Sequence, residues 1–274
     1  MSQLSFSGSG LGSGSSSSSG SQPPQQFSDQ LTNTEEQPIK AKLVDLPEAV
    51  SLLNAGRVLL VPTDTVWGLA LKVDPLSDPE TLYELKGRDA DKAIPWLVGS
   101  VFDLEFYASE LPSWAKPLAE RYWPGPLTIV CQAGDLAPKS FVAKDGSLAL
   151  RMPRQRQTLE LMGQLGAPLA TTSANRQGQP ASSQLADLDP ELLTEVGVVF
   201  AGGEMSGEAP GGEVSGCGAS KRDTSSGGAS CPGAETPSNL PSTIVSCLSD
   251  QPQILRVGAL AASDVLVCIE KFGR

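Results

Sequence analysis

Short apolar runs of strand length, separated by helical patterns, constrain the fold of this chain most strongly. Val58–Val61 is a continuous apolar run, typical of a strand covered on both faces, and Leu69–Val73 follows it after a short polar turn. Strands so close together cannot be joined by a helical crossover. The sequence therefore predicts an α/β fold whose twisted sheet is mixed parallel and antiparallel and is flanked by helices. Further strands are predicted at Trp96–Val98, Leu127–Cys131, Ser147–Met152, Pro168–Thr172, Val196–Phe200, Thr243–Cys247 and Ile254–Val257.

Helix starts are marked by capping residues. In Asp45-Leu46-Pro47-Glu48, Asp45 can cap the helix, proline suits its first turn and Glu48 completes a capping box, while Gly56 ends it. Asp78-Pro79-Glu80 begins a second helix that ends at Gly87. Other helices are predicted around Leu104–Glu110, Trp114–Tyr122 and Ser263–Phe272.

Two segments have a composition unsuited to a packed core. Residues 1–38 consist mainly of Ser, Gly, Gln and Pro, which predicts a disordered tail. Residues 204–238 are rich in Gly and Ser, which predicts a low-complexity insertion. The folded domain is then expected to span residues 39–274, with this insertion inside it.

The composition excludes several classes of function. The formal net charge is −11, which argues against broad nucleic-acid binding. Histidine is absent, which excludes a Ser-His-Asp triad and His-containing zinc sites, and the five cysteines form no CxxC pair. No apolar run reaches the ~20 residues that span a bilayer, and the N-terminus lacks the features of a secretory signal or transit peptide. The sequence therefore predicts a soluble, cytoplasmic protein that binds no metal ion of its own.

Basic side chains stand at the ends of predicted elements. The chain has neither a Walker-type loop nor a G-x-G-x-x-G after a strand, so any phosphates would be held by side chains. Candidates are Lys86, Arg88, Lys92, Arg151 and Arg256. Taken singly, each is also explained as a solvated surface charge, and Lys86 and Arg88 as complements to a helix dipole.

The polar residues beside the strands also have several interpretations. Thr172-Ser173-Ala174-Asn175 could form a site or only a turn or helix cap, and Pro241-Ser242-Thr243 is equally ambiguous. Asp64 could act as a general base, a magnesium ligand or a turn carboxylate.

Seven short motifs occur in one order along the chain, and together they resemble the YrdC-like family, whose members make L-threonylcarbamoyladenylate for tRNA modification. The resemblance extends from about Leu43 to Ala259. The motifs are Pro62-Thr63-Asp64-Thr65-Val66-Trp67-Gly68-Leu69; Lys86, Arg88 and Lys92; Trp123-Pro124-Gly125-Pro126-Leu127-Thr128; Arg151-Met152-Pro153; Ser173-Ala174-Asn175; Ser242-Thr243-Ile244-Val245; and Leu255-Arg256-Val257-Gly258.

The resemblance implies a synthase with an open cationic cleft. L-threonine and bicarbonate or CO2 would form a carbamate that attacks the α-phosphate of ATP and expels pyrophosphate, with Mg²⁺ accompanying the triphosphate. The implied catalytic residues are Lys86, Arg88, Ser173 and Asn175. The implied ATP contacts are Arg88, Lys92, Ser147, Ser173 and Arg256. The implied threonine contacts are Thr65, Arg151, Thr171 and Ser242. The expected protein partner is the transferase that carries the threonylcarbamoyl group onto tRNA, with direct tRNA binding weak or absent.

The chain departs from the family pattern at several positions. Trp67 stands in place of a tyrosine, Leu97 in place of a histidine that contacts threonine in some members, and Ala181 in place of a serine near the nucleotide. The length also suggests the minimal, single-domain form of the synthase. Two other functions stay open: an RNA-binding module, and a carbamoyl-transfer domain of hydrogenase-maturation type. The CxxC motifs typical of the second are missing from this sequence.

Overall fold

A computed structural model describes residues 41–87, 94–202 and 240–272. Within these ranges the chain forms one ten-stranded sheet with helices on both faces. The strands are β1 (Lys42–Val44), β2 (Leu59–Val61), β3 (Gly68–Lys72), β4 (Trp96–Leu97), β5 (Leu127–Gln132), β6 (Ser147–Arg151), β7 (Leu169–Ser173), β8 (Val198–Phe200), β9 (Thr243–Ser246) and β10 (Gln253–Arg256). Their order across the sheet is β1-β8-β2-β3-β7-β4-β6-β5-β9-β10.

The sheet is mixed, as predicted. The closely spaced pair β2 and β3 is antiparallel, as are β3 with β7, β7 with β4, β5 with β6, and β9 with β10. Parallel pairing joins β1 with β8, β8 with β2, β4 with β6, and β5 with β9. The described part of the chain thus confirms the predicted α/β class.

The helices are α1 (Leu46–Asn54), α2 (Glu80–Lys86), α3 (Phe102–Tyr107), α4 (Ala115–Tyr122), α5 (Arg156–Leu165), α6 (Pro190–Val196) and α7 (Ala262–Phe272). The predicted start of α1 is confirmed, because the Asp45 carboxylate accepts a hydrogen bond from the Glu48 amide. Gly87 ends α2 in the left-handed conformation, as expected. The start of the β8 prediction was wrong: Val196 is the last residue of α6, and Gly197 separates it from the strand.

Two apolar cores cover the sheet. The larger core lies on the face that carries Leu60, Leu69, Trp96 and Ile129, under α2, α3, α4, α6 and α7. The smaller core lies on the opposite face under α1 and α5, and its strand residues come from β1, β8, β2, β3, β7 and β4. Within the described residues the smaller core therefore stops at β4.

Beyond β4, the second face carries polar, small and a few apolar side chains and has no apolar core cluster over it among the described residues. Leu97 of the smaller core pairs with Arg151 in the parallel register of β4 and β6, so both side chains point to this face. Ala149 and Ser147 share it by strand alternation, and Val130 lies opposite Ala149 on β5. This second face of β6, β5 and β9 forms the floor of the candidate site.

Candidate active site

The side chain of Lys86 joins the end of α2 to the end of β7. It is 6% exposed, and its ammonium group donates to both the backbone oxygen and Oγ of Ser173, each at 2.7 Å. It also donates to Oδ1 of Asn175. Three of the four residues implied as catalytic are therefore in direct contact. The fourth, Arg88, and the implied ATP contact Lys92 lie outside the described residues.

The amide of Asn175 is itself held in place. Its Nδ2 donates to the backbone oxygens of Arg176 and Gln179, which turns Oδ1 toward Lys86. The backbone amide of Ala174 donates to the Trp67 carbonyl at 2.8 Å. The Ser-Ala-Asn motif is thus attached to the Pro-Thr-Asp-Thr segment.

Thr63 shapes the turn that carries two of the candidate residues. Its Oγ1 accepts hydrogen bonds from the amides of Thr65 and Val66 and donates to the Val66 carbonyl. From α5, the Thr158 hydroxyl donates to the Pro62 carbonyl at 2.6 Å. These bonds fix the turn locally and against a neighbouring helix.

Arg151 extends from the end of β6 into this turn. Its Nη1 donates to Thr65 Oγ1 at 3.1 Å, its Nη2 to Asp64 Oδ1 at 2.5 Å, and its Nε to the Gly125 carbonyl at 3.2 Å. Burial and the nearby charge of Arg256 lower the pKa of Arg151, while Asp64 raises it. The two implied threonine contacts Thr65 and Arg151 are therefore adjacent, and Asp64 is the ion-pair partner of Arg151.

Ser242 and Arg256 form the neighbouring part of the site. Arg256 Nε and Nη2 donate to the Ser242 carbonyl, and Nη2 lies 3.2 Å from Ser242 Oγ. The Ser242 hydroxyl is also hydrogen bonded to Thr128 Oγ1 at 2.8 Å, and both are buried. Sequence reasoning quoted Thr128 only as part of a motif. Thr128 is two residues before Val130 in the predicted strand, and side chains two residues apart point to the same face. Since Val130 pairs with Ala149 of the floor, Thr128 also points to the floor.

A β-bulge directs Arg256 to the floor. Ile254 pairs with Val245, and after the bulge Arg256 pairs with Ile244. Residues 254 and 256 would share a face in a regular strand, but Val245 and Ile244 point to opposite faces. The bulge therefore turns Arg256 to the face that carries the floor.

Ser147 lies on the floor and Thr171 lies on the same face of the neighbouring β7, and the hydroxyl groups of both are hydrogen bonded to residues other than Arg151. Thr171 packs against the backbone of Gly68, where an added Cβ would lie 2.6 Å from Thr171 Cγ2. The Ser147 hydroxyl donates to Asp145 at 2.6 Å. Trp96 of β4 pairs with Ala170 on one side and with Leu150 on the other, so these two residues lie level across the sheet. Because β7 and β6 run in opposite directions, Ser173, three residues after Ala170, lies level with Ser147, three residues before Leu150.

The floor therefore has two ends along the strand direction. Ser147 and Arg151 are at opposite ends of β6, and the strand rise places their Cα atoms about 13 Å apart. Lys86, Ser173 and Asn175 lie at the Ser147 end, and Ser242 and Arg256 lie at the Arg151 end. The turn of Thr65 links the two ends, because the Trp67 carbonyl accepts from Ala174 and Thr65 accepts from Arg151. Arg256, implied as an ATP contact, is thus found beside the implied threonine contacts and away from Ser173.

The described residues contain no cluster of three or more His, Cys, Asp or Glu side chains able to hold a metal ion. Over the same residues, no helix is both long and apolar enough to cross a bilayer. The cationic character of the cleft stays a prediction, because two of its expected cations, Arg88 and Lys92, are not among the residues described.

Comparisons with known proteins agree on one family. The Sua5/YciO/YrdC family model, whose description is "Telomere recombination", matches residues 51–212. Threonylcarbamoyl-AMP synthase of Xanthomonas axonopodis pv. citri is 34% identical over 166 residues, which cover 57% of this chain and 85% of that protein. The synthase of Pyrococcus abyssi is 31% identical over 57% of this chain and 46% of its own length. That of Bacillus subtilis is 27% identical over 80% of this chain and 55% of its own length. The chain thus spans about half the length of these last two relatives.

Solved structures share the fold. The crystal structure of P. abyssi Sua5 complexed with L-threonine superposes with a TM-score of 0.63 at 23% identity, covering 85% of this chain and 62% of that chain. YciO of E. coli gives a TM-score of 0.60 at 17% identity, covering 81% and 97% of the two chains. Full-length HypF in its phosphate- and nucleotide-bound form gives 0.53 at 16% identity, covering 78% of this chain and 29% of HypF.

Proposed function

Because the chain belongs to the Sua5/YciO/YrdC family, whose model matches more than half of its length, we propose that it is a threonylcarbamoyl-AMP synthase. L-threonine and bicarbonate or CO2 form a carbamate, and its oxygen attacks the α-phosphorus of MgATP. The bond from that phosphorus to the bridging oxygen breaks, which releases pyrophosphate. The product, threonylcarbamoyl-AMP, supplies the tRNA modification through a separate transferase, and we place this reaction in the cytoplasm.

The observation that carries the proposal is the contact of Lys86 with Ser173 and Asn175. An anionic carbamate that attacks a polyanion needs a preorganised cation and polar donors close to the reacting phosphate. Lys86 is a buried cation held by the end of α2, Ser173 and Asn175, so little reorganisation is needed when the phosphates arrive. Arg88 and Lys92 are proposed to complete this cationic group.

The two ends of the floor suit two different substrates, the polyanionic ATP and the zwitterionic threonine. We assign the ATP phosphates to the end that carries Lys86, Ser173 and Ser147. We assign the threonine to the Arg151 end, where guanidinium and hydroxyl groups can pair with its carboxylate and hydroxyl. The reacting carbamate would then lie between the two groups. Arg256, at the threonine end, stays proposed as an ATP contact, because the α-phosphate that the carbamate attacks must come close to the bound threonine.

The test is pyrophosphate release from ATP by the purified full chain. We expect release to require L-threonine and bicarbonate together and to yield threonylcarbamoyl-AMP. Serine should be a poor substrate and valine a much worse one, since valine leaves the site's hydroxyl partners unpaired. ATP breakdown that ignores threonine, or that instead requires carbamoyl phosphate, would contradict the proposal.

A further inference from the structure

The proposed chemistry gives Asp64 no role, yet its carboxylate is held at the threonine end of the site. Its carboxylate pairs with Nη2 of Arg151 at 2.5 Å, with side-chain exposures of only 13% and 9%. The hydroxyl oxygen of the next residue, Thr65, accepts a hydrogen bond from Nη1 of the same guanidinium. Two consecutive residues of one turn therefore hold both terminal nitrogens of Arg151.

This ion pair is more buried than the other pairs found among the described residues. The side chains of the Lys72–Asp74 pair, for example, are 20% and 21% exposed. Placing two charges out of water carries a desolvation cost that their attraction only partly offsets, so a buried pair is weak evidence for stability. An explanation in terms of ligand binding fits the position of this pair better.

Asp64 is paired with the Arg151 guanidinium, the group to which the carboxylate of threonine would bind. Arginine has five N–H donors, and three of those of Arg151 are used by Asp64, Thr65 and the Gly125 carbonyl. An α-amino acid brings its own carboxylate and an ammonium group on the same carbon. Such a zwitterion can enter between Arg151 and Asp64 by exchange of partners, with no net change of charge in the site.

We propose that Asp64 recognises the α-ammonium group of the amino-acid substrate, while Arg151 takes the carboxylate. The inference rests on the proposed function, because it takes threonine as the ligand. Without substrate, Asp64 and Arg151 satisfy one another. With substrate bound, each pairs with the opposite charge of the zwitterion.

The test compares two ligands by calorimetry: L-threonine and 2,3-dihydroxybutanoate, in which a hydroxyl replaces the ammonium group. Wild-type protein should prefer threonine. In Asp64→Asn, which keeps the shape and removes the charge, the Kd for threonine should rise tenfold or more. The Kd for the hydroxy acid should stay constant or fall, because its carboxylate no longer competes with Asp64 for Arg151.

The matched control is Asp74→Asn, which removes the same charge from an ion pair away from the site. It should leave both dissociation constants unchanged. Asp64→Glu keeps the charge and should retain the preference for threonine, which keeps the test decisive if the asparagine variant does not fold. Equal weakening of both ligands in Asp64→Asn would overturn the proposal, because it would show that Asp64 only positions Arg151.

Calorimetry does not require turnover, so the two hypotheses can fail separately. Wild-type protein that prefers threonine but releases no pyrophosphate would contradict the synthase function and leave Asp64 assigned. Wild-type protein that turns over threonine but binds both ligands equally would overturn the role of Asp64 alone.

Discussion

The ammonium group of Lys86 joins segments that are 87 residues apart in the sequence, at Lys86 and Ser173. We expect Lys86→Met to reduce threonine-dependent pyrophosphate release at least ~100-fold, as for loss of one preorganised donor. The variant should also lose about 1–3 kcal/mol of stability, because partly buried oxygens of Ser173 and Asn175 lose a donor. Initial rates and chemical denaturation measure the two effects.

Lys72→Met is the matched control for this prediction. Lys72 also donates to an asparagine Oδ1, that of Asn54, but it lies outside the candidate site. Its loss should change the rate by no more than a few-fold. Equal loss of activity in both variants would mean that Lys86 acts only through folding.

At the scale of residues, motif order predicted which side chains meet but not how they meet. Lys86, Ser173 and Asn175 were named from the sequence, and the structure brings them together. The partner of Arg151 was not predicted, since spacing leaves Asp64 free to be a base, a metal ligand or a turn residue. Only the path of the turn across the sheet selects the ion pair.

At the scale of elements, the segment after β10 depends on close backbone contact. A Cβ on Gly258 would lie 2.1 Å from the Pro241 carbonyl oxygen and 2.6 Å from the Ser242 carbonyl carbon. We expect Gly258→Ala to lower the melting temperature by several degrees. It should also raise the KM for threonine, because Ser242 and Arg256 must shift.

Gly163→Ala tests the same exchange where space is open. Gly163 lies within α5, and an added Cβ would meet no atom within 4 Å. Alanine there should stabilise the protein by about 0.5–1 kcal/mol and leave the KM unchanged. A similar melting temperature for both variants would contradict the contact assigned to Gly258.

Most elements were predicted from apolar runs and caps, and the exceptions have physical reasons. The helix α6 was missed although Asp189-Pro190-Glu191 repeats the cap and proline signal used for α1. The helix α5 contains Gly163, which weakens its helical propensity, and packing against α1 compensates. The strand β1 has only three residues and depends on pairing with β8.

At the scale of the whole molecule, a net charge of −11 sets the expected behaviour toward RNA. We expect no measurable binding of unmodified tRNA in a filter-binding assay at about 0.15 M salt, because the phosphate backbone is repelled. Tight binding that weakens steeply as salt is added would contradict this and favour the RNA-binding alternative. The predicted domain limits, with residues 1–38 and 204–238 outside the packed core, fall on residues that the structure does not describe.

The bulge in β10 makes the direction of one functional side chain depend on a residue count. Side-chain direction along a strand is a matter of odd and even positions, and the bulge exchanges the two between Ile254 and Arg256. Deletion of Leu255, the extra residue, would remove the bulge yet leave the arginine opposite Ile244, still on the floor side. Insertion of one more residue with the bulge kept would instead place the arginine opposite Thr243 and turn the guanidinium away from Ser242. Loss of exposed Leu255 should therefore be tolerated in descendants of this sequence better than the gain of one residue at the same point.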